Sequence, residues 1–221
     1  MFWYCPVVTA SATAGKPTAA RGRPQVHADE QVLAAALEAF AATGYEAMSI
    51  RSLSRDLGLS HGALNQRFGS KERLFRAAVD YGFGGLTTAV TQHLTRWPQP
   101  DGELSALRAA LRAFLLASAE RPELVRLMNT LGIAASERLD YVFDRYVAPT
   151  VEPLRQAVLR SRPTATSQIS TRELFFLVAH GAAAPFTLRG LSEHFDVTDG
   201  LLDPEVYADH MAEVLLRTLG G

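Results

Sequence analysis

From Asp29 onward, apolar residues recur at intervals of three and four, the period of a helix with one buried face. Leu33, Leu37 and Phe40 share one stripe, with Asp29 placed to cap that helix and Gly44 to stop it. A second, short helix follows Ser49 and turns Ile50, Leu53 and Leu57 inward before Gly58 ends it. A third is expected from a Ser60 cap, with Leu64 and Phe68 four apart. Ser70 caps a fourth, which carries Leu74, Phe75 and Val79 and extends toward Gln92. Residues 97–102 read as a linker. Later helices are expected at 103–119, 122–134, 137–160, 171–191 and 204–219. Pro122 and Pro204 fall in first turns, Asp203 caps the last helix, and Pro185 should kink the one before it. Residues 189–202, rich in Gly, Asp, Ser and Thr, read as a loop. Alternating strand patterns are scarce, so the fold class is all-α.

Composition narrows the function. The chain has 221 residues, 48% hydrophobic and 20% charged, which suits a buried core and excludes wholesale disorder. No run approaches the ~20 apolar residues of a membrane crossing. A single cysteine, Cys5, makes neither an internal disulfide nor a zinc site, and no metal or cofactor is expected. Residues 1–8 are apolar but no basic residue precedes them, so 1–26 reads as a flexible arm rather than a secretory signal.

Charge is informative only locally. The net −1 divides into +2 before Phe83 and −3 from there on. Between Leu57 and Lys71 there is no acidic residue, while His61, Arg67 and Lys71 flank Asn65 and Gln66. A helix that enters the DNA major groove must expose side chains able to read base edges and keep carboxylates away from phosphates. A preceding helix must brace it through a tight turn. Residues 50–57, the turn at Gly58-Leu59, and residues 60–68 meet these demands. Leu53, Leu57, Leu64 and Phe68 form the inner face, leaving Ser60, His61, Ala63, Asn65, Gln66 and Arg67 outside. Gly62 and Ala63 permit close approach; Gln66 or Asn65 suits adenine, and Arg67 suits guanine or a phosphate.

The run from Ala34 to Ile50, then Gly58-Leu59-Ser60-His61-Gly62-Ala63-Leu64 and Phe68-Gly69-Ser70-Lys71-Glu72, resembles the tetracycline-repressor (TetR) family of bacterial regulators. The resemblance covers about residues 28–82. It implies a helix-turn-helix DNA-binding domain over 27–82 and a helical effector-binding and dimerisation domain over 83–221. It also implies phosphate contacts near Ser49 and from Lys71. Two positions depart from the family pattern: Asn65 stands where Tyr is usual, and Arg67 where His is frequent. That Tyr commonly touches the DNA backbone, and a charge-assisted bond from Arg67 would replace it. Arg21-Gly22-Arg23-Pro24 resembles an AT-hook core, whose arginines lie in a narrow minor groove. Its place before the first helix suits an auxiliary DNA contact.

In the rear, Val178 and Ala182 with Val206, Tyr207, His210, Met211 and Val214 form stripes on two helices. These are expected to pair across a two-fold axis as the dimer interface. A two-fold dimer spaces its recognition helices about one DNA turn apart and demands a near-palindromic double-stranded operator. Phe114, Met128, Leu131, Tyr146, Phe176 and His180 are the candidate lining of a pocket for a small apolar effector, with Gly82–Gly85 as a bending or close-contact point in the fourth helix. The expected function is a cytoplasmic homodimeric repressor released by an effector. An activator or ligand-independent regulator, and more remotely a helical interaction module, stand as alternatives. Gly58-Leu59-Ser60-His61-Gly62 also matches the G-x-S-x-G elbow of serine hydrolases, but that elbow needs a preceding strand, and residues 50–57 read as helix.

Overall fold

The computed structural model describes residues 28–60, 62–97, 101–161 and 169–218. Three short elements form the front: α1 (Asp29–Ala47), α2 (Ile50–Asp56) and α3 (Ala63–Phe68). A long α4 (Lys71–Arg96) leads from them into α5 (Glu103–Glu120), α6 (Pro122–Leu131) and α7 (Glu137–Val142). A π-helical stretch, Phe143–Val147, then passes into α8 (Ala148–Ser161). After α9 (Thr171–Phe175) a second π stretch, Phe176–Ala182, precedes α10 (Ala184–Thr187) and α11 (Arg189–Ser192). A 3₁₀ turn at Glu193–Phe195, α12 (Asp196–Asp199) and α13 (Pro204–Thr218) complete the chain.

The polar caps act locally, so most appear where the sequence places them. Ser49 Oγ accepts the Ser52 N–H, Ser70 Oγ accepts the Arg73 N–H, and Asp203 accepts the N–H groups of Glu205 and Val206. Two caps differ. Asp29 is the first residue of α1, behind Ala28, and its carboxylate turns to Arg67. The third helix starts at Ala63, three residues beyond Ser60, with Gly62 in a left-handed conformation (φ 93°) as its N-cap. Ser60 contributes only its carbonyl, which accepts the Ala63 N–H at 3.0 Å. Residues 189–199, expected as a loop, form short helical turns, since Leu188, Leu191 and Phe195 follow the helical spacing. The two long rear helices are interrupted by the π stretches, and the second breaks at Ala183 just before Pro185.

Two apolar clusters hold the molecule. The first joins Leu37, Phe40, Leu53, Leu64, Leu74 and Phe75 with Leu124, Leu127 and Leu131 of α6. Helix α6 is thus part of the core that supports α3. The second joins Leu107, Leu111 and Leu115 of α5 to Leu174, Val178, Ala182 and, from α13, Leu215. Helix α4 runs unbroken through Gly82–Gly85. Gly82 and Gly85 lie where a Cβ would press on Leu37 and Leu124 or on Arg121, so these glycines serve close approach.

Candidate nucleic-acid interface and the cavity behind it

Buried Leu64 anchors α3 in the first cluster. The opposite face is left to Asn65, Gln66 and Arg67, all exposed, with Ala63 half-buried and Ser60 and Gly62 exposed beside them. Ser49 is also exposed at the start of α2. The structure therefore brings Ser49, Ser60, Gly62, Ala63, Asn65, Gln66 and Arg67 onto the α2–turn–α3 unit. His61, Arg21 and Arg23 lie outside the described residues. Ser60 sits in a turn between two helices, so the strand that a hydrolase elbow requires is not there.

Two of the expected phosphate contacts are engaged within the subunit. Arg67 forms an ion pair with Asp29 at the start of α1. Lys71 donates to the Glu46 carbonyl at 3.2 Å and lies over the Tyr45 ring, 4.6 Å from its centroid. The sequence reading passed over Arg51, exposed in the first turn of α2 and without an ion-pair partner among the described residues. Its signal was available: a cation two residues after the Ser49 cap stands on the outward side of the helix start.

An exposed carboxylate beside a DNA-facing arginine opposes phosphate binding. Replacing Asp29 with Asn is expected to raise duplex affinity roughly two- to fivefold and steepen its salt dependence by about one unit of slope. Arg67→Gln in the same background should abolish the gain in a mobility-shift titration. A gain that persists there would assign the effect to Asp29 alone.

Residues 32–78 match the family model for bacterial regulatory proteins of the tetR family. This domain belongs to the TetR family. The function that goes with it is DNA-binding transcriptional regulation. Most of the chain shares its fold with solved proteins over nearly their full length. A tetR-family regulatory protein from Rhodococcus RHA1 is 21% identical with a TM-score of 0.56, covering 86% of this chain and 95% of that one. The ketosteroid transcriptional regulator KstR2 of Mycobacterium tuberculosis is 17% identical with a TM-score of 0.60, covering 90% and 98%. A cysteine mutant of the TetR-family regulator CifR, solved with 26-bp double-strand operator DNA, is 20% identical with a TM-score of 0.53, covering 89% and 98%. At these identities the likeness is one of fold. No curated protein matches the chain. No helix among the described residues is long and apolar enough to cross a membrane.

Behind the TetR-family domain lies a cavity of about 600 Å³. Its walls are mostly apolar side chains of α4, α5, α6 and α8, and both π stretches contribute to it. π-Bulges widen a helix locally and often mark functional sites. Of the candidates named from sequence, Phe114, Met128, Tyr146 and His180 line it. Two candidates do not. Leu131 is buried in the first cluster, and Phe176 points outward, 57% exposed, so its neighbour Phe175 lines the cavity instead. His180 Nδ1 lies 2.9 Å from Asn129 Oδ1 on α6, and burial pulls its pKa below the ordinary value.

The wall facing α4 is tied by polar groups. Tyr146 stacks on Phe83, with centroids 4.7 Å apart, and donates to Asp80. Tyr141 donates to the same carboxylate at 2.6 Å; burial and that bond push its phenol up to about 12. Below them, Arg138 bonds Glu72 at 2.9 Å and covers the Tyr45 ring. Burial works against the Glu72 charge, yet hydrogen bonds from Arg76 and Arg138 hold its carboxyl below the ordinary value.

The expected dimer stripe also needs correction. Val178 and Ala182 are buried in the subunit's own second cluster, and Met211 packs against it. Tyr207 donates its hydroxyl to the Ala182 carbonyl at 2.8 Å, which fastens α13 to that core. Val206, His210 and Val214 remain exposed. The larger exposed apolar run is Leu188, Leu191, Phe195, Val197 and Leu201, with Val197 at 96% and Leu201 at 87%.

Proposed function

We propose that the protein is a homodimeric transcriptional repressor, acting in the cytoplasm, that occupies a near-palindromic operator and leaves it when a small effector enters the cavity. One observation carries the coupling: α6 belongs to both sites. Leu124 lines the cavity and is also a member of the cluster that seats Leu64 of α3. Glu38 of α1 accepts two bonds from Arg126 of α6, at 2.8 and 2.7 Å. A ligand that displaces α6 therefore acts on α1 and the helices packed against it. For a switch-like response it must favour the arrangement that does not fit DNA by several kcal/mol.

Dimerisation is supported by the exposed apolar side chains between Leu188 and Val206, more than a solitary subunit ordinarily leaves in water. A second copy is the occupant that also gives two recognition helices to one operator. Repression follows from position, because a dimer seated on promoter DNA excludes polymerase.

The test is a mobility shift on the protein's own upstream DNA, at several salt concentrations. Gln66→Ala should cost on the order of tenfold on the specific site and little on random duplex, as loss of a base contact does. Arg51→Ala should weaken both alike and reduce the salt slope by about one. Unchanged affinity in both variants would reject this docking of α3.

A further inference from the structure

We infer that the cavity takes an amphipathic carboxylate, with Arg121 at the α5–α6 junction holding the carboxylate. This rests on the effector-cavity reading above and replaces the purely apolar ligand expected from sequence.

The charge lining the cavity is unbalanced. Three arginines, Arg121, Arg145 and Arg160, face one carboxylate, Glu103, in a wall otherwise mostly apolar. Two of the three are outward and engaged. Arg145, with its side chain 57% exposed, donates to the Tyr146 hydroxyl at 3.0 Å and stands 3.3 Å from Asp80. Arg160, 59% exposed, stands 3.5 Å from Glu103. Those two pairs neutralise the outer wall.

Arg121 differs. Its side chain is only 28% exposed, and its one ion-pair partner among the described residues, Glu123, is 3.9 Å away, beyond hydrogen-bond length. A half-buried guanidinium with five donors and so distant a counter-ion favours an anion that can accept two bonds side by side. The chain also makes room for it. A Cβ at Gly85 would lie 2.5 Å from Nη2 and 2.7 Å from Cζ, so the absence of a side chain there seats the guanidinium against α4. Arg121 is also the N-cap residue of α6, whose N-terminal end carries partial positive charge. From this seat the apolar wall continues along Leu86, Val90, Val125 and Met128, which suits a hydrocarbon body. A flexible acyl chain and a flat ring acid share this chemistry.

Two matched pairs of probes, dodecanoate with dodecanol and naphthoate with naphthylmethanol, titrated calorimetrically into the full chain, test the assignment. In at least one pair the acid should bind on the order of tenfold more tightly than its alcohol, the scale of a hydrogen bond to a charged group. The pair that binds tells a chain from a ring. Arg121→Gln should abolish the preference while the alcohol binds as before. Gly85→Ala, which improves helix propensity and displaces the guanidinium, should also abolish it. Alcohols that bind as well as acids to the unmodified protein overturn the anion anchor alone. A preference that survives both variants overturns the role of Arg121. Binding by neither member of either pair overturns the effector cavity and this inference together.

Discussion

Phe75→Ala lowers the free energy of unfolding by about 3–5 kcal/mol and abolishes operator binding. The magnitude is that of truncating a fully buried aromatic ring that leaves a cavity. Phe75 is inaccessible to solvent and meets Phe40 edge-on at 5.1 Å and Tyr45 edge-on at 5.5 Å. Phe40 and Tyr45 are themselves stacked at 5.7 Å, so one ring holds two others. The same cluster contains Leu53 of α2 and Leu64 of α3, which set the angle of the DNA-reading unit. Tyr45 also lies beneath Lys71 and Arg138, so its displacement reaches the polar ties to α7. Urea unfolding gives the stability change, and a mobility shift gives the binding. A loss under about 1 kcal/mol would mean the ring is not the keystone of this core.

On the proposed dimer, the double variant Leu191→Glu, Phe195→Glu is expected to give single subunits and to weaken operator binding by a factor of about 10² to 10⁴. Both side chains are more than half exposed in the subunit, so the change leaves its own core intact. Charged groups directed into an apolar contact between copies cannot be desolvated without a partner, which disfavours association. The loss on DNA exceeds that of any single contact, because two linked modules bind the second half-site at high effective concentration. Sedimentation or light scattering reports the mass, and thermal unfolding of the variant reports the fold. A dimer that persists with unchanged mass would place the interface elsewhere.

What the sequence revealed depended on the range of the interaction. Ser49, Ser70 and Asp203 were readable as caps because each bonds a backbone N–H within three residues. The error at Ser60 is also local: Gly62, two residues on, offered the left-handed conformation that starts α3. By contrast, the pairing of Arg67 with Asp29 spans 38 positions and leaves no periodic trace. Of the four cavity residues named from sequence, Phe114 and Met128 lie in regular α-helix, and Tyr146 and His180 lie within the π stretches. Phe176, at the start of the second π stretch, faces outward, and the adjacent Phe175 lines the cavity, a choice between neighbours that only the packing shows. Leu131 and Val178 have the apolar character of a lining or an interface. Only the packing of distant helices decided which side they face. Arg121, before a proline, carries no sequence signal that Gly85 and the cavity lie beside it.

Leu124 has a consequence for how such a molecule can change over generations. Leu124 lines the cavity, and one of its methyls stands where a Cβ at Gly82 of α4 would meet it at 2.9 Å. Reshaping this spot for a different occupant thus also alters the resting grip on DNA. New ligand tastes are expected to be acquired first along the wall made by α5, at positions such as Ala106 and Ala110, which lie outside the cluster that seats α3.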